Sequence, residues 1–146
     1  MTSIDPVLDT RTAPYAALVL RLALGIMFVA HGLLKVFVFT IPGTVGFFES
    51  LGYPGFVAYL TILAEVGGGL ALIVGFQVRL VALALLPIML GAAQVHLGNG
   101  WLFSNEGGGW EYPVFLASAQ VVQALLGSGP FALRFGQRQE AAVAAS

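Results

Sequence analysis

Four stretches of this chain, Tyr15–Phe39, Phe56–Phe76, Leu80–Leu97 and Tyr112–Leu133, are almost wholly apolar and close to bilayer length. A helix that crosses a hydrocarbon core needs about 20 mostly apolar residues, and it must satisfy every backbone polar group within the segment. No other feature narrows the choice of fold so far. The third stretch is the shortest, and it reaches length only with Gln94 and His96 counted as end residues. Composition agrees with a lipid solvent. The chain is 58% hydrophobic and 9% charged, where a soluble domain carries roughly 25% charged residues. Mean hydropathy is +0.92. The expected fold is therefore all-α, a membrane four-helix bundle. Four transmembrane helices occupy residues 15–134, between an N-terminal tail (1–14) and a C-terminal tail (135–146). The first stretch is too long, and its flank with Asp5, Asp9 and Arg11 too polar, for a cleaved signal peptide.

Orientation follows from lysine and arginine. Arg11 and Arg21 lie at the start of the first span, Arg79 in the short turn between the second and third, and Arg134 and Arg138 in the C-terminal tail. The other side has Lys35 with Glu49, Glu106 and Glu111. Both termini are expected in the cytoplasm. The turn around Gln77-Val78 predicts a tight antiparallel hairpin of the second and third spans. The outer loops are longer. Ile41–Gly55 holds Pro42, Gly43, Gly46, Gly52, Pro54 and Gly55 around Phe47 and Phe48, which suggests an interfacial or partly re-entrant segment. Gly98–Glu111 brings Trp101, Phe103 and a glycine run, and its aromatic residues suit the membrane interface. Ala64/Gly68 and Gly67/Ala71 on the second span, with Gly91 and Ala92 on the third, predict close helix packing.

Several function classes drop out. A net charge of −1 gives no reason to expect nucleic acid. The absence of cysteine excludes a disulfide framework, a thiol relay, an iron–sulfur cluster and a zinc ribbon.

The informative residues are the few charges inside the apolar runs. Glu65 stands at the centre of the second span, and an unpaired charge in hydrocarbon costs roughly 2.5–3.5 kcal/mol on insertion scales. Arg21, His31 and Lys35 fall within roughly an 80° arc of the first helix and form one basic stripe that must face the interior. By depth, His31 is the first match for Glu65 and Arg21 the second, while Lys35 is expected to snorkel near the outer interface. Gln94 and His96 add polar groups toward the outer face, Gln120 and Gln123 nearer mid-depth, and Glu111 and Tyr112 at the mouth. The expected arrangement is an outward-opening polar pocket.

Two readings of that pocket compete. In one, Glu65 pairs with Arg21 or His31 to fix helix register, and the glutamines satisfy each other. In the other, His31 and Glu65 are catalytic and handle protons, while Lys35, Arg21, Gln94, His96, Gln120 and Glu111 bind a quinone head group or a similar small polar molecule. Histidine titrates near physiological pH, which suits coupled proton and electron transfer. A bis-histidine haem between His31 and His96 is disfavoured by a depth difference of about 7 Å. A metal site of the two histidines with Glu65 shows no local ligand motif, so no metal is expected.

Taken in order and spacing, Arg21-Leu-Ala-Leu-Gly25, His31-Gly32-Leu-Leu-Lys35, Glu65-Val-Gly-Gly-Gly69, Gly75-Phe-Gln-Val-Arg79 and Gly108-Gly-Trp-Glu-Tyr-Pro113 resemble the DoxX family of small membrane proteins. The resemblance runs from about Arg21 to Arg134. It implies a multi-pass four-helix bundle in a prokaryotic plasma membrane. It also implies an association with membrane oxidoreductase assemblies, because the family is named for its similarity to a small subunit of archaeal quinol-oxidising complexes. It assigns no catalytic residue. The expected function is thus a membrane subunit of, or accessory to, a quinone-linked oxidoreductase. Its expected partners are the lipid bilayer, other oxidoreductase subunits and further copies of itself. The alternative is a non-catalytic scaffold or assembly factor. A small-solute transporter is weaker: no inverted repeat is evident, although Pro87 is placed to break the third span.

Overall fold

The computed structural model describes residues 9–133. The tail residues up to Leu8 and from Arg134 onward, with Arg134 and Arg138 that entered the orientation argument, lie outside the described residues. Among the described residues the regular structure is helical. The helices are α1 (Ala13–Phe37), α2 (Ile41–Ser50), α3 (Phe56–Val74), α4 (Val78–His96) and α5 (Glu111–Leu126), with a 3-10 turn at Leu97–Asn99. α1 packs most extensively on α3 and α4 on α5; α3 also meets α4, and α1 meets α5.

Helix ends are set by local chemistry. α1 stops at Phe37, because Thr40 takes the left-handed φ of 63° and Pro42 follows. The Thr40 hydroxyl then caps α2 by accepting the Gly43 N–H at 3.2 Å. Thr44 donates its hydroxyl to the Lys35 carbonyl at 2.9 Å and ties α2 back onto α1. The loop expected to be interfacial or re-entrant thus contains a ten-residue helix. α3 closes in a Schellman motif: Gly75 (φ 80°) donates to Leu72, and Phe76 donates to Ala71 at 2.8 Å. Only the short link Gly75–Gln77 separates α3 from α4, as the sequence predicts. α4 runs unbroken through Pro87, which is exposed.

Three helices are long and apolar enough to cross a membrane: α1, α3 and α4 with its 3-10 extension (Val78–Asn99). The fourth predicted span is shorter than expected. α5 ends at Leu126, where Gly127 (φ 85°), Gly129 (φ 66°) and Pro130 break the helix. Its 16 residues rise about 24 Å. The chain then turns under the end of the molecule that carries the Gly75–Gln77 link, and the Leu133 N–H bonds the Val74 carbonyl. We refer to this as the turn end; the opposite end, with α2 and residues 97–110, is the loop end.

The interior is a cluster of Leu24, Phe28, Leu72, Val78, Leu85, Met89, Leu116, Ala117 and Ala119. Large apolar residues also cover the outside, among them Ile26, Leu63, Leu80 and Leu125. A lipid-facing surface requires that distribution. The closest helix approach is between α1 and α3. A Cβ added at Gly69 would lie 2.7 Å from the Gly25 carbonyl oxygen, and one added at Gly32 would lie 2.6 Å from Val66 Cγ2. Gly68 faces Leu85 of α4, whereas Gly67, expected in a packing pair with Ala71, faces open space.

Candidate functional site

The antiparallel α1/α3 pair places the central charges. Side chains on a helix lean toward its N-terminus, so on antiparallel neighbours they lean toward each other's level. Lys35 lies one turn beyond Gly32, which abuts Val66 and Glu65, and its stem leans back toward them. Glu65 leans the opposite way to meet it. Lys35 Nζ donates to both carboxylate oxygens, at 2.9 Å to Oε1 and 2.8 Å to Oε2. The lysine side chain is 20% exposed and the glutamate 2%.

This geometry corrects the expected pairing. The partner of Glu65 is Lys35, not His31 or Arg21, and Lys35 does not snorkel away from the carboxylate. Depth counted from backbone rise alone ignored the lean of both side chains and the reach of a four-carbon stem.

His31 lies one turn before Lys35 on the same face of α1. Its Nδ1 donates to the Met27 carbonyl at 2.8 Å. A carbonyl can only accept, so Nδ1 carries the hydrogen and Nε2 of the neutral ring is the proton-accepting atom. The imidazole stacks on the Tyr112 ring of α5, with centroids 5.9 Å apart and planes at 28°. Tyr112 in turn donates its hydroxyl to Met27 Sδ at 3.8 Å. Met27 and Tyr112 thus hold the histidine from two sides. Sequence reasoning put Tyr112 at the mouth but passed over Met27, which carries no polar signal.

The other predicted site residues do not join this cluster. Arg21 is 1% exposed and lies at the turn end. There its guanidinium packs against Gly75 and donates from Nη2 to the Pro130 carbonyl at 3.4 Å. The carbonyl end of α3 attracts a cation to that place. Gln120 is buried and donates to the Ala82 carbonyl at 3.3 Å, while Gln123 donates to Gly127 at 2.7 Å. The two glutamines therefore bond backbone and not each other, and they sit toward the turn end instead of the outer pocket. Gln94 is exposed on α4. His96 and Glu111 instead build the loop end. His96 Nδ1 donates to the Gly108 carbonyl at 3.1 Å. Glu111 Oε1 accepts the Phe103 N–H at 2.9 Å. Asn99, which sequence reasoning missed, donates to the carbonyls of Gly107 and Gly108 at 3.0 and 2.9 Å. Beside this loop an open cavity of about 320 Å³ is lined by Trp101, Phe103, Glu111, Tyr112, Val114 and Phe115.

Chemically, the α1/α3 cluster offers a fixed ammonium–carboxylate pair and a histidine with one nitrogen free. Among the described residues no three histidine, cysteine or acidic side chains come together as a metal site.

Residues 16–98 match the sequence pattern of the DoxX family. That range includes Arg21, His31, Lys35 and Glu65, and stops before Gly108–Pro113 and α5. The chain is 37% identical over 75 residues to "Putative oxidoreductase CatD" of Bacillus subtilis strain 168, which covers 51% of this chain and 54% of that protein. It is 42% identical over 66 residues to "Inner membrane protein YqjF" of Escherichia coli strain K12, covering 45% of this chain and 49% of the relative. The chain spans about half the length of the curated relatives it matches. No solved structure matches it.

Proposed function

This chain belongs to the DoxX family of membrane proteins, and from that premise we propose that it is a membrane subunit of, or accessory to, a quinone-linked oxidoreductase, working at the Lys35–Glu65–His31 cluster. The name of the Bacillus relative supports the reaction class, and that of the Escherichia relative supports a prokaryotic inner membrane. In this reading α5 is a fourth, short crossing that completes a four-helix bundle, both termini are cytoplasmic, and the loop end faces outward. Other oxidoreductase subunits, or further copies of the chain, cover part of the apolar outer surface.

The observation that carries the proposal is the ion pair with a free imidazole nitrogen beside it. An ammonium has three N–H donors, and two of those on Lys35 go to Glu65. The third is left for a carbonyl oxygen, and His31 Nε2 is left to accept a proton from a hydroxyl. That donor set fits a quinone/quinol head group, which when bound supplies coupled electron and proton transfer. Glu65 keeps Lys35 aimed. Met27 and Tyr112 keep the His31 acceptor atom fixed. Protons arrive and leave at His31.

A second reading, a non-catalytic scaffold or assembly factor, draws on one observation. Both Glu65 oxygens are already satisfied by Lys35, as a register-fixing pair requires. One experiment separates the two. The protein and its Glu65→Gln and His31→Gln variants are purified gently from native membranes, and quinone content and quinol-dependent activity are measured on folded material. The quinone reading predicts co-purifying quinone in the parent protein, and loss of activity in both folded variants. If the parent carries no quinone and folded Glu65→Gln keeps its activity, the quinone reading fails. Normal activity with reduced yield of an associated complex identifies the scaffold.

A further inference from the structure

We propose that the loop-end cavity is a binding site for a small organic cation, an alkylammonium group. The site adjoins the Lys35–Glu65–His31 cluster, sharing Tyr112 with it, but does not rest on the quinone reading. Four of its six lining residues are aromatic (Trp101, Phe103, Tyr112 and Phe115), and one is the carboxylate Glu111. Aromatic faces carry negative charge density and attract cations. A carboxylate among such faces repels an anion and contributes little to a neutral ring. An ammonium group uses both.

The charge around the cavity agrees. Residues 41–55 and 97–111, which form the loop end, contain Glu49, Glu106 and Glu111 and no lysine or arginine. The basic side chain set against the lining is His31, whose ring stacks on Tyr112, and Lys35 is bound to Glu65. Glu111 has no ion-pair partner among the described residues. Among the described residues its carboxylate accepts a hydrogen bond from the Phe103 N–H, which aims it without neutralising it.

The cavity is also built instead of left over from a loose loop. Glu111 N–H bonds the Trp101 carbonyl at 3.1 Å, and Trp110 N–H bonds Gly100 at 3.1 Å, closing the loop onto the start of α5. Trp101 stands edge-on to Trp110 at 4.5 Å. A volume of about 320 Å³ lies at the small end of ligand cavities, roughly 300–1,000 Å³, which suits a head such as tetramethylammonium or choline. The cation can come free from solution or as the head group of a neighbouring phospholipid.

The chain's two tryptophans, Trp101 and Trp110, are both at this place, so intrinsic fluorescence reports on it without a label. The protein in phosphatidylglycerol nanodiscs is titrated with tetramethylammonium chloride at constant ionic strength, with tert-butanol as the neutral ligand of like shape. The expected result is a saturable change with tetramethylammonium and none with tert-butanol over the same range. Glu111→Gln retains an acceptor for the Phe103 N–H and should weaken binding about two- to fivefold. Phe115→Leu, at a side chain 70% exposed and so not needed for folding, should weaken it severalfold. Repeating the titration in phosphatidylcholine nanodiscs identifies the source. A raised apparent Kd means that head groups already occupy the site, and an unchanged Kd means that it takes a free cation. No saturable signal in phosphatidylglycerol overturns the proposal. So does an unchanged affinity in folded Glu111→Gln, or equal response to tert-butanol.

Discussion

Replacing Glu65 by glutamine removes the charge that holds Lys35 and leaves the volume almost unchanged. Breaking a buried ion pair from one side costs about 3–5 kcal/mol, because the remaining charge is left uncompensated. Lys35 is 20% exposed, and its flexible stem can turn its head toward water at the loop end, so the loss for Glu65→Gln should be smaller, about 2–3 kcal/mol. The reverse change, Lys35→Met, strands a carboxylate only 2% exposed and should cost the full range, about 3–5 kcal/mol. The double variant leaves no unpaired charge. It should be more stable than the sum of the single losses by at least about 2 kcal/mol. Equilibrium unfolding by SDS in mixed micelles, followed by far-ultraviolet circular dichroism, measures all four corners of the cycle. A buried pair is also little screened, so the coupling should persist between low and high salt. Additivity of the two single changes within about 0.5 kcal/mol would show that the contact contributes no net stability and that the Lys35–Glu65 pair does not hold α1 against α3.

Other expectations follow from the same coordinates. Gly69→Ala would press a methyl group to 2.7 Å from the Gly25 carbonyl oxygen and 2.8 Å from the Val29 nitrogen. Backbone cannot yield there, and the same unfolding assay should register a loss of about 1–3 kcal/mol. Gly67→Ala meets open space and should be neutral or stabilising by about 0.5–1 kcal/mol. Gly75→Ala combines a φ of 80° with contact against Arg21 and, at 2.6 Å, the Ala132 Cα. It should detach the segment 127–133 and speed amide exchange there, and unchanged exchange would contradict the packing described. Asn99→Ala removes the donors to Gly107 and Gly108, and exchange across residues 100–110 should accelerate while α1 and α3 stay protected.

The middles of the apolar runs were legible in the sequence, because lipid solvation demands length and hydrophobicity and both can be read directly. Their ends were harder. The first run continues in composition to Phe39 and the last to Leu133, yet Thr40 turns left-handed and Gly127 and Gly129 break α5. Those are backbone decisions that an apolar count does not register. The need of Glu65 for a partner was legible from cost alone. Its identity was not, because the geometry of two leaning side chains moved the match one turn away from the level of their Cα atoms. Packing was half visible. Gly68 and Gly69 do face neighbours, but the contact surface on α1 is made by Gly25 and Gly32, seven residues apart and easily passed over in the sequence. Gln120 and Gln123 looked like mutual partners by spacing, and the nearer backbone carbonyls of Ala82 and Gly127 claimed them.

The apolar cluster has an electrical consequence. Along α1, Leu24 and Phe28 fall between Arg21 and His31; along α5, Leu116, Ala117 and Ala119 fall between Tyr112 and the glutamines; along α3, Leu72 falls between Glu65 and Gly75. Polar groups at the two ends are thus parted by a slab of low dielectric. A transmembrane voltage drops where the dielectric is low, and carrying one charge across 100 mV is worth about 2.3 kcal/mol. On the proposed reading, a proton that reaches His31 from the loop end stops short of the apolar layer formed by Leu24, Phe28 and Leu72. If the proposed chemistry is right, the fold would then act as an insulator with that chemistry on one side, exchanging protons there while leaving the membrane potential undissipated.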